Sequence, residues 1–299
     1  MVENTRIPAL DGFSLGASIY RPRRPAASGG VVLISGATGV SRAFYRGYAR
    51  YLAEREFVVV TYDYRGVGGS RPQRLRDFEA TLQEWGTLDL AGAISWCGRF
   101  ASGRLFLLAH SVGGQIFGLA PNMAEVHAVL GIGAQEGFWA NWPFPRNLFI
   151  WMLSQVVMPL SLRTCGYLPA KRLGLGDDLP YGIGREWVHV AGTKSYLAQL
   201  ATAAFDAYTG PMKLYSFDDD RLAPRKAVDR LQTYYRRSAV ERKHVRPADA
   251  GLASIGHFGF FKEQCRPLWN ETADWLSAQT ASISMQHRVD RMRDRVDLQ

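Results

Sequence analysis

The sequence predicts an α/β fold, with a mostly parallel central sheet, helices on both faces and an inserted helical cap. Three observations carry that expectation. The first is a strand that turns abruptly into a helix at a serine. The apolar run Leu105-Phe106-Leu107-Leu108 leads into Ala109-His110-Ser111-Val112-Gly113, with small residues two positions either side of Ser111. Such a turn forces its central residue into a strained backbone geometry and lifts the hydroxyl above the end of the sheet. Gly113 and Gly114, lacking side chains, let the following helix pack close to the sheet with its N-terminal amides facing incoming negative charge. The setting suits a nucleophile. An ordinary turn with a capping serine is the plainer alternative, and an acid and a base further along decide between them.

The second observation supplies the acid. Pro211-Met212-Lys213-Leu214-Tyr215-Ser216-Phe217 reads as a buried strand and runs into Asp218-Asp219-Asp220-Arg221-Leu222-Ala223-Pro224, an acidic turn closed by proline. Asp220 is the candidate orienter, because Pro224 begins the next helix and leaves Asp220 at the carboxyl edge of the sheet. Asp218 and Asp219 read as solvated turn residues or helix caps. The third observation is the base. Ser254-Ile255-Gly256-His257-Phe258-Gly259 sets His257 between glycines at the mouth of a C-terminal helix, where its ring reaches over the sheet edge.

The chain order Ser111, Asp220, His257 is that of the α/β-hydrolase topology, in which the three groups meet at the C-terminal edge of the strands. These residues resemble the α/β-hydrolase superfamily, and the likeness covers nearly the whole chain. Ile7 to Pro22 resembles the opening hairpin, with Asp11-Gly12 as its tight turn. Val31-Val32-Leu33-Ile34-Ser35 resembles the next strand, followed by an oxyanion loop, Gly36-Ala37-Thr38-Gly39. Phe57 to Gly66 resembles the strand and turn before the second helix. Within the superfamily the chain is most similar to predicted bacterial hydrolases of the serine aminopeptidase and monoacylglycerol lipase-like branch. The resemblance implies the α/β-hydrolase fold and two-step acyl transfer on a small-molecule acyl substrate, with no metal or organic cofactor. Ser111 is then the nucleophile, His257 its base and Asp220 the group that orients the base. One departure is visible: the usual His-Gly of the oxyanion loop is absent. The amide of Val112 is therefore joined in the oxyanion site by that of Thr38 or of Gly39.

Between Ala128-Val129-Leu130-Gly131-Ile132-Gly133, read as a strand, and the acid strand lie about seventy residues, 136–206, where the minimal fold needs only a loop and a helix. They read as a cap, dividing the chain into core (1–135 and 207–280), cap, and a basic tail (281–299). Phe138, Trp139, Trp142, Phe149 and Trp151 crowd its first half and are the candidate pocket wall, against the alternative of plain packing of cap on core. A lid of this kind excludes water and favours acyl or aryl groups over sugars and phosphates. The apolar stretch falls short of the ~20 residues a bilayer span requires, and Gln155 and Pro159 interrupt it.

Composition agrees with one large enzyme domain. At 299 residues and 47% hydrophobic content the chain fills a sizeable core. Its N-terminus lacks the apolar run of a secretory signal, which points to the cytoplasm. Cys97, Cys165 and Cys265 are odd in number and widely spaced, so neither a disulfide framework nor a zinc site is expected. The net charge of +9 draws on Arg21 to Arg24 and Arg288 to Arg295 rather than on a nucleic-acid motif. It reads as solvated surface with no nucleic-acid partner; a weak attraction to anionic substrates or lipid surfaces is the alternative. The oligomeric state is left open.

A competing reading comes from another class. Gly36-Ala37-Thr38-Gly39 after a strand, with Asp63 further on and Tyr167 four residues before Lys171, mimics a short-chain reductase that binds NAD(P). Against it, Arg42 stands where the third glycine would fall, and Pro169 breaks the helix that would join Tyr167 to Lys171. A catalytically inert binding member of the same superfamily is the third reading. His110 is expected to pack beside the nucleophile rather than to react, and Trp85 and Asp89 to support a helix.

Overall fold

The computed structural model describes residues 1–23, 30–102, 104–200 and 203–296, with side chains as far as Ala281. Arg24 and the side chains of Arg288 to Arg295, to which part of the positive charge was assigned, lie outside the described residues.

Eight strands form one sheet in the order β1-β2-β4-β3-β5-β6-β7-β8. β1 (Val2–Pro8) and β2 (Ser14–Tyr20) make the opening hairpin, turned at Gly12 with φ 83°, and β2 runs antiparallel to β4 (Val58–Tyr62). From β4 the sheet continues parallel through β3 (Val31–Ser35), β5 (Leu105–His110), β6 (Ala128–Ile132), β7 (Met212–Phe217) and β8 (Val240–Val245). The central strands are apolar throughout because both faces are covered. In β5, Leu105, Leu107 and Ala109 face one core with Leu33 and Val129, while Phe106 and Leu108 face the other with Val32, Ile34 and Leu130. That alternation is the two-residue period of a strand buried on both sides. Truncating Leu107 to alanine would cost roughly 2–5 kcal/mol.

Helices α1 (Arg46–Glu54), α2 (Ala91–Ala101), α3 (Val112–Phe117), α4 (Arg146–Cys165), α5 (Tyr181–Gly192), α6 (Arg225–Gln232), α7 (Gly256–Gly259) and α8 (Arg266–Val296) complete the layers. The first face gathers Trp85 and Ile116; the second gathers Tyr48, Trp269 and Leu276. Ahead of α2, buried Asp89 accepts from Arg65 Nε at 2.7 Å and from the Arg65 amide at 2.8 Å, so it anchors the turn after β4 as well as its own helix.

α4 and α5 belong to the insertion between β6 and β7. The apolar stretch expected to be too short and too interrupted for a membrane forms one continuous 20-residue helix, α4, long and apolar enough to cross one. Pro159 is tolerated because it stands at the start of the last α-helical section, Met158–Cys165. Just before it the helix widens to a π turn over Leu153–Val157, in which the Met158 amide bonds the Leu153 carbonyl. α5 is tied to the core by Glu186, whose carboxylate accepts from the amides of Leu82 and Gln83.

Candidate active site

The register of the parallel strands brings three loops to one edge. Ala109 and His110 of β5 pair with Gly131 and Ile132 of β6, and Ile132 pairs with Tyr215 of β7. Backbone bonds carry the alignment past the strand ends: the Ser111 amide donates to the Ile132 carbonyl at 3.2 Å, and the Gly133 amide to the Tyr215 carbonyl at 3.0 Å. Ser111, Gly133 and the acidic turn after β7 therefore sit side by side.

Ser111 adopts φ 54°, ψ −117°, a conformation that costs an L-residue on the order of 1–3 kcal/mol and persists only where its surroundings impose it. Gly113 shows one such constraint. A Cβ there would lie 2.3 Å from the Ser35 carbonyl oxygen, so the helix after the turn approaches β3 only because position 113 has no side chain. Gly133, at φ 54°, does the same for the acid and the histidine: a Cβ would lie 3.2 Å from both Asp220 Oδ2 and His257 Nδ1.

His257 Nδ1 and Asp220 Oδ2 are 2.8 Å apart, with both side chains almost wholly buried. The other carboxylate oxygen of Asp220 accepts the amides of Leu222 and Ala223, each at 2.8 Å. A carboxylate so held only accepts, so the proton of this pair sits on Nδ1 and Nε2 is left as the acceptor. Of the neighbouring acids, Asp219 caps α7, the helix that carries His257, accepting the amides of Ile255 and Gly256 at 2.8 and 2.9 Å. Asp218 faces His244 at 3.4 Å. Ser111 and His257 line one pocket; among the described residues no hydrogen bond joins them.

A second, buried chain of hydrogen bonds lies behind this edge. The Ala37 amide donates to Tyr45 Oη at 2.7 Å, Tyr45 Oη lies 2.9 Å from His110 Nδ1, and His110 Nε2 lies 3.0 Å from the His257 carbonyl. Its polarity is forced. A carbonyl only accepts, so His110 Nε2 carries the proton; burial and the neighbouring His257 ring hold His110 well below the usual imidazole range, so the ring is neutral and Nδ1 is bare. Tyr45 supplies the proton to Nδ1, and burial pushes its own ionisation well above the usual phenol range. The chain connects the loop after β3, the residue preceding Ser111 and the backbone of His257. Tyr45 carries no sequence signal of this role, because nothing local marks a contact that spans 65 residues.

The pocket is a cavity of about 320 Å³ between the sheet edge and the cap, walled mainly by Ile150, Leu153, Met158, Leu168, Leu179 and Phe258. Thr38, Gln135 and Trp187 also line it, and each has a buried polar atom with no partner among the described residues. Of the five aromatics expected in the wall, only Trp142 lines it, held by its indole N–H to the Arg221 carbonyl at 3.0 Å. Phe138 and Trp139 pack on each other, and Phe149 and Trp151 point outward, 53% and 45% exposed. Helical geometry explains the exchange. Ile150, Ser154 and Met158 share the inner face of α4, and their immediate neighbours Phe149 and Trp151 are rotated about 100° from it.

Of the oxyanion candidates, Thr38 lines the pocket beside Ser111; the Gly39 carbonyl instead accepts the Asp177 amide of the cap at 2.9 Å. Val112 begins α3, directly after Ser111. Among the described residues no group of three His, Cys, Asp or Glu side chains is placed to hold a metal ion. The acid expected for a ribose, Asp63, is engaged elsewhere: it accepts the amides of Arg42 and Gly69 at 2.6 and 2.7 Å and pairs with the Arg42 guanidinium.

Comparison with known proteins agrees with this architecture. The alpha/beta hydrolase family model matches residues 31–266. The chain belongs to the α/β hydrolase family, which overturns the reductase reading. A soluble variant of the monoglyceride lipase of Saccharomyces cerevisiae, solved with a substrate analogue, superposes with a TM-score of 0.65 at 16% identity, over 92% of this chain and 96% of that one. DcsB in complex with its substrate analogue gives 0.65 at 12% identity, over 94% and 100%. An esterase from Exiguobacterium antarcticum gives 0.61 at 15%, over 92% and 99%. At these identities the likeness establishes the fold alone. No curated protein matches the chain by sequence.

Proposed function

We propose that the protein is a serine hydrolase of carboxylic esters or related acyl bonds, with Ser111 as nucleophile, His257 as base and Asp220 as the orienting carboxylate. The observation that carries this reading is the Asp220–His257 hydrogen bond, 2.8 Å long and buried, at the edge of a pocket that also holds a serine with φ 54°. With the Nδ1 proton held by Asp220, His257 Nε2 takes the Ser111 proton as Oγ attacks the substrate carbonyl carbon. The amides of Val112 and Thr38 receive the oxyanion, Gly39 being the alternative partner; losing one such donor would cost about 3 kcal/mol. The imidazolium then protonates the leaving alkoxide, forming the acyl-enzyme. Water, deprotonated by His257, attacks it in turn and releases the carboxylic acid.

The apolar wall supports an acyl or aryl group, and the polar atoms of Thr38, Gln135 and Trp187 support a substrate carrying a few neutral polar groups. Purified wild type and Ser111→Ala are compared on p-nitrophenyl esters of graded chain length. The expected result is hydrolysis that depends on chain length in the wild type and disappears in the variant. Activity that survives Ser111→Ala would remove the serine from its role, and a flat profile would remove the apolar acyl pocket.

A further inference from the structure

We propose that the outer face of α4 docks on an anionic lipid surface, with the helix lying in the interface and the pocket mouth beside the leaflet. The helix has two apolar faces. Ile150, Leu153, Ser154 and Met158 face inward to the pocket, while Phe149, Met152, Val156 and Leu160, spaced at three and four residues, form an outward stripe that is 48–62% exposed. Phe144, at 77%, and Trp151 extend the exposed apolar surface.

The charge around this surface selects its occupant. From Gly137 to Gly176 the chain has no aspartate or glutamate, and its four charged residues are Arg146, Arg163, Lys171 and Arg172. Arg146 and Arg163 stand three residues beyond either end of the stripe, at Phe149 and Leu160. None of the four cations is in an ion pair among the described residues. An apolar stripe bounded by unpaired cations complements a leaflet of acyl chains under anionic headgroups. A second copy of the chain fits less well, because a two-fold pairing of this stripe would bring the arginines at its ends, Arg146 and Arg163, toward those of the other copy with no acid on the helix to meet them. The helix lies on the bilayer rather than across it. Its inner face is the pocket wall, and Gln155 Nε2 donates to the Val188 carbonyl of α5 at 2.9 Å, so a span would dismantle the cap.

The test uses the full chain and vesicle flotation, and does not depend on the chemistry assigned to Ser111. Vesicles of phosphatidylcholine alone are compared with vesicles containing 30% phosphatidylserine, at low and high salt. Wild type is expected to float with the anionic vesicles at least ten-fold more than with the neutral ones, and high salt should reduce the difference. Met152→Asp/Leu160→Asp and Arg163→Glu/Arg172→Glu should each lose that binding, while circular dichroism and hydrolysis of a short soluble ester stay unchanged. Equal flotation with both vesicle types, or binding that survives both variants, would overturn the proposal. So would a dimer in light scattering that Met152→Asp/Leu160→Asp dissolves, which would assign the face to a second copy.

Discussion

The sheet edge around Ser111 and the cap helix α4 are built on opposite principles. At the edge each functional group is held by bonds whose direction is determined: Asp220 accepts three hydrogen bonds, His257 is fixed through its ring and its carbonyl, and Tyr45 passes one proton's worth of polarity from Ala37 to His110. α4 packs mainly through apolar side chains and leaves about half of its apolar residues exposed. Directional bonds hold a geometry to fractions of an ångström, whereas apolar contacts tolerate sliding and exchange. On the proposed function, chemistry belongs to the edge, and access and substrate choice to the cap.

Substitutions sharpen that contrast, beginning with the largest expected effect. Asp220→Asn keeps the shape of the side chain and removes the charge that fixes the His257 tautomer. It should lower kcat on the order of 10⁴-fold, measured on the preferred ester, with the circular dichroism spectrum unchanged. A drop below ten-fold would mean that Asp220 does not orient the base.

Tyr45→Phe leaves the Ala37 amide and His110 Nδ1 buried without partners, which should cost roughly 1–3 kcal/mol of stability in a denaturant titration. It should also lower kcat more than it changes KM, because on the proposed function both ends of the chain position the reacting groups, the oxyanion loop at Ala37 and the backbone of His257. An equal loss in KM would show that the cap feels the change too.

His110 gives the edge a pH dependence. Its folded-state pKa lies below that of the unfolded chain, so the stability it contributes is present above the unfolded imidazole value and lost as pH falls from there toward the folded value. Below about pH 6.5 wild type should lose up to ~1.4 kcal/mol per pH unit from this one group. Denaturant midpoints of wild type and His110→Phe, compared from pH 7 to pH 5, should converge as the wild type weakens. Parallel curves would contradict a neutral, buried His110. The smallest effect is expected on the outside of the cap, where Val156→Ser should change stability by less than about 0.5 kcal/mol.

Which parts were legible in the sequence follows from the range of the interactions. The turn at Ser111, the Asp220 turn closed by Pro224 and the glycines around His257 are local, and each is legible from neighbouring residues. β8 is not legible in the sequence: Val240-Glu241-Arg242-Lys243-His244-Val245 is polar because it is an edge strand with only its last residue fully buried. The aromatics of the cap are visible in the sequence as a group, but which face of α4 meets the core depends on packing against α5, so the sequence points to Phe149 and Trp151 as wall where the structure places Ile150 and Met158. The continuity of α4 through Gln155 and Pro159 depends on a π turn with no signature of its own.

The central claim is that Ser111 is made reactive by the groups gathered at the sheet edge. The most direct measurement is mass spectrometry of the intact protein after exposure to a fluorophosphonate, with the modified peptide sequenced. The account predicts a single adduct on Ser111, absent in Ser111→Ala and formed at least a hundred-fold more slowly in His257→Ala. Labelling at another residue, or labelling of Ser111 at an undiminished rate without His257, would contradict it.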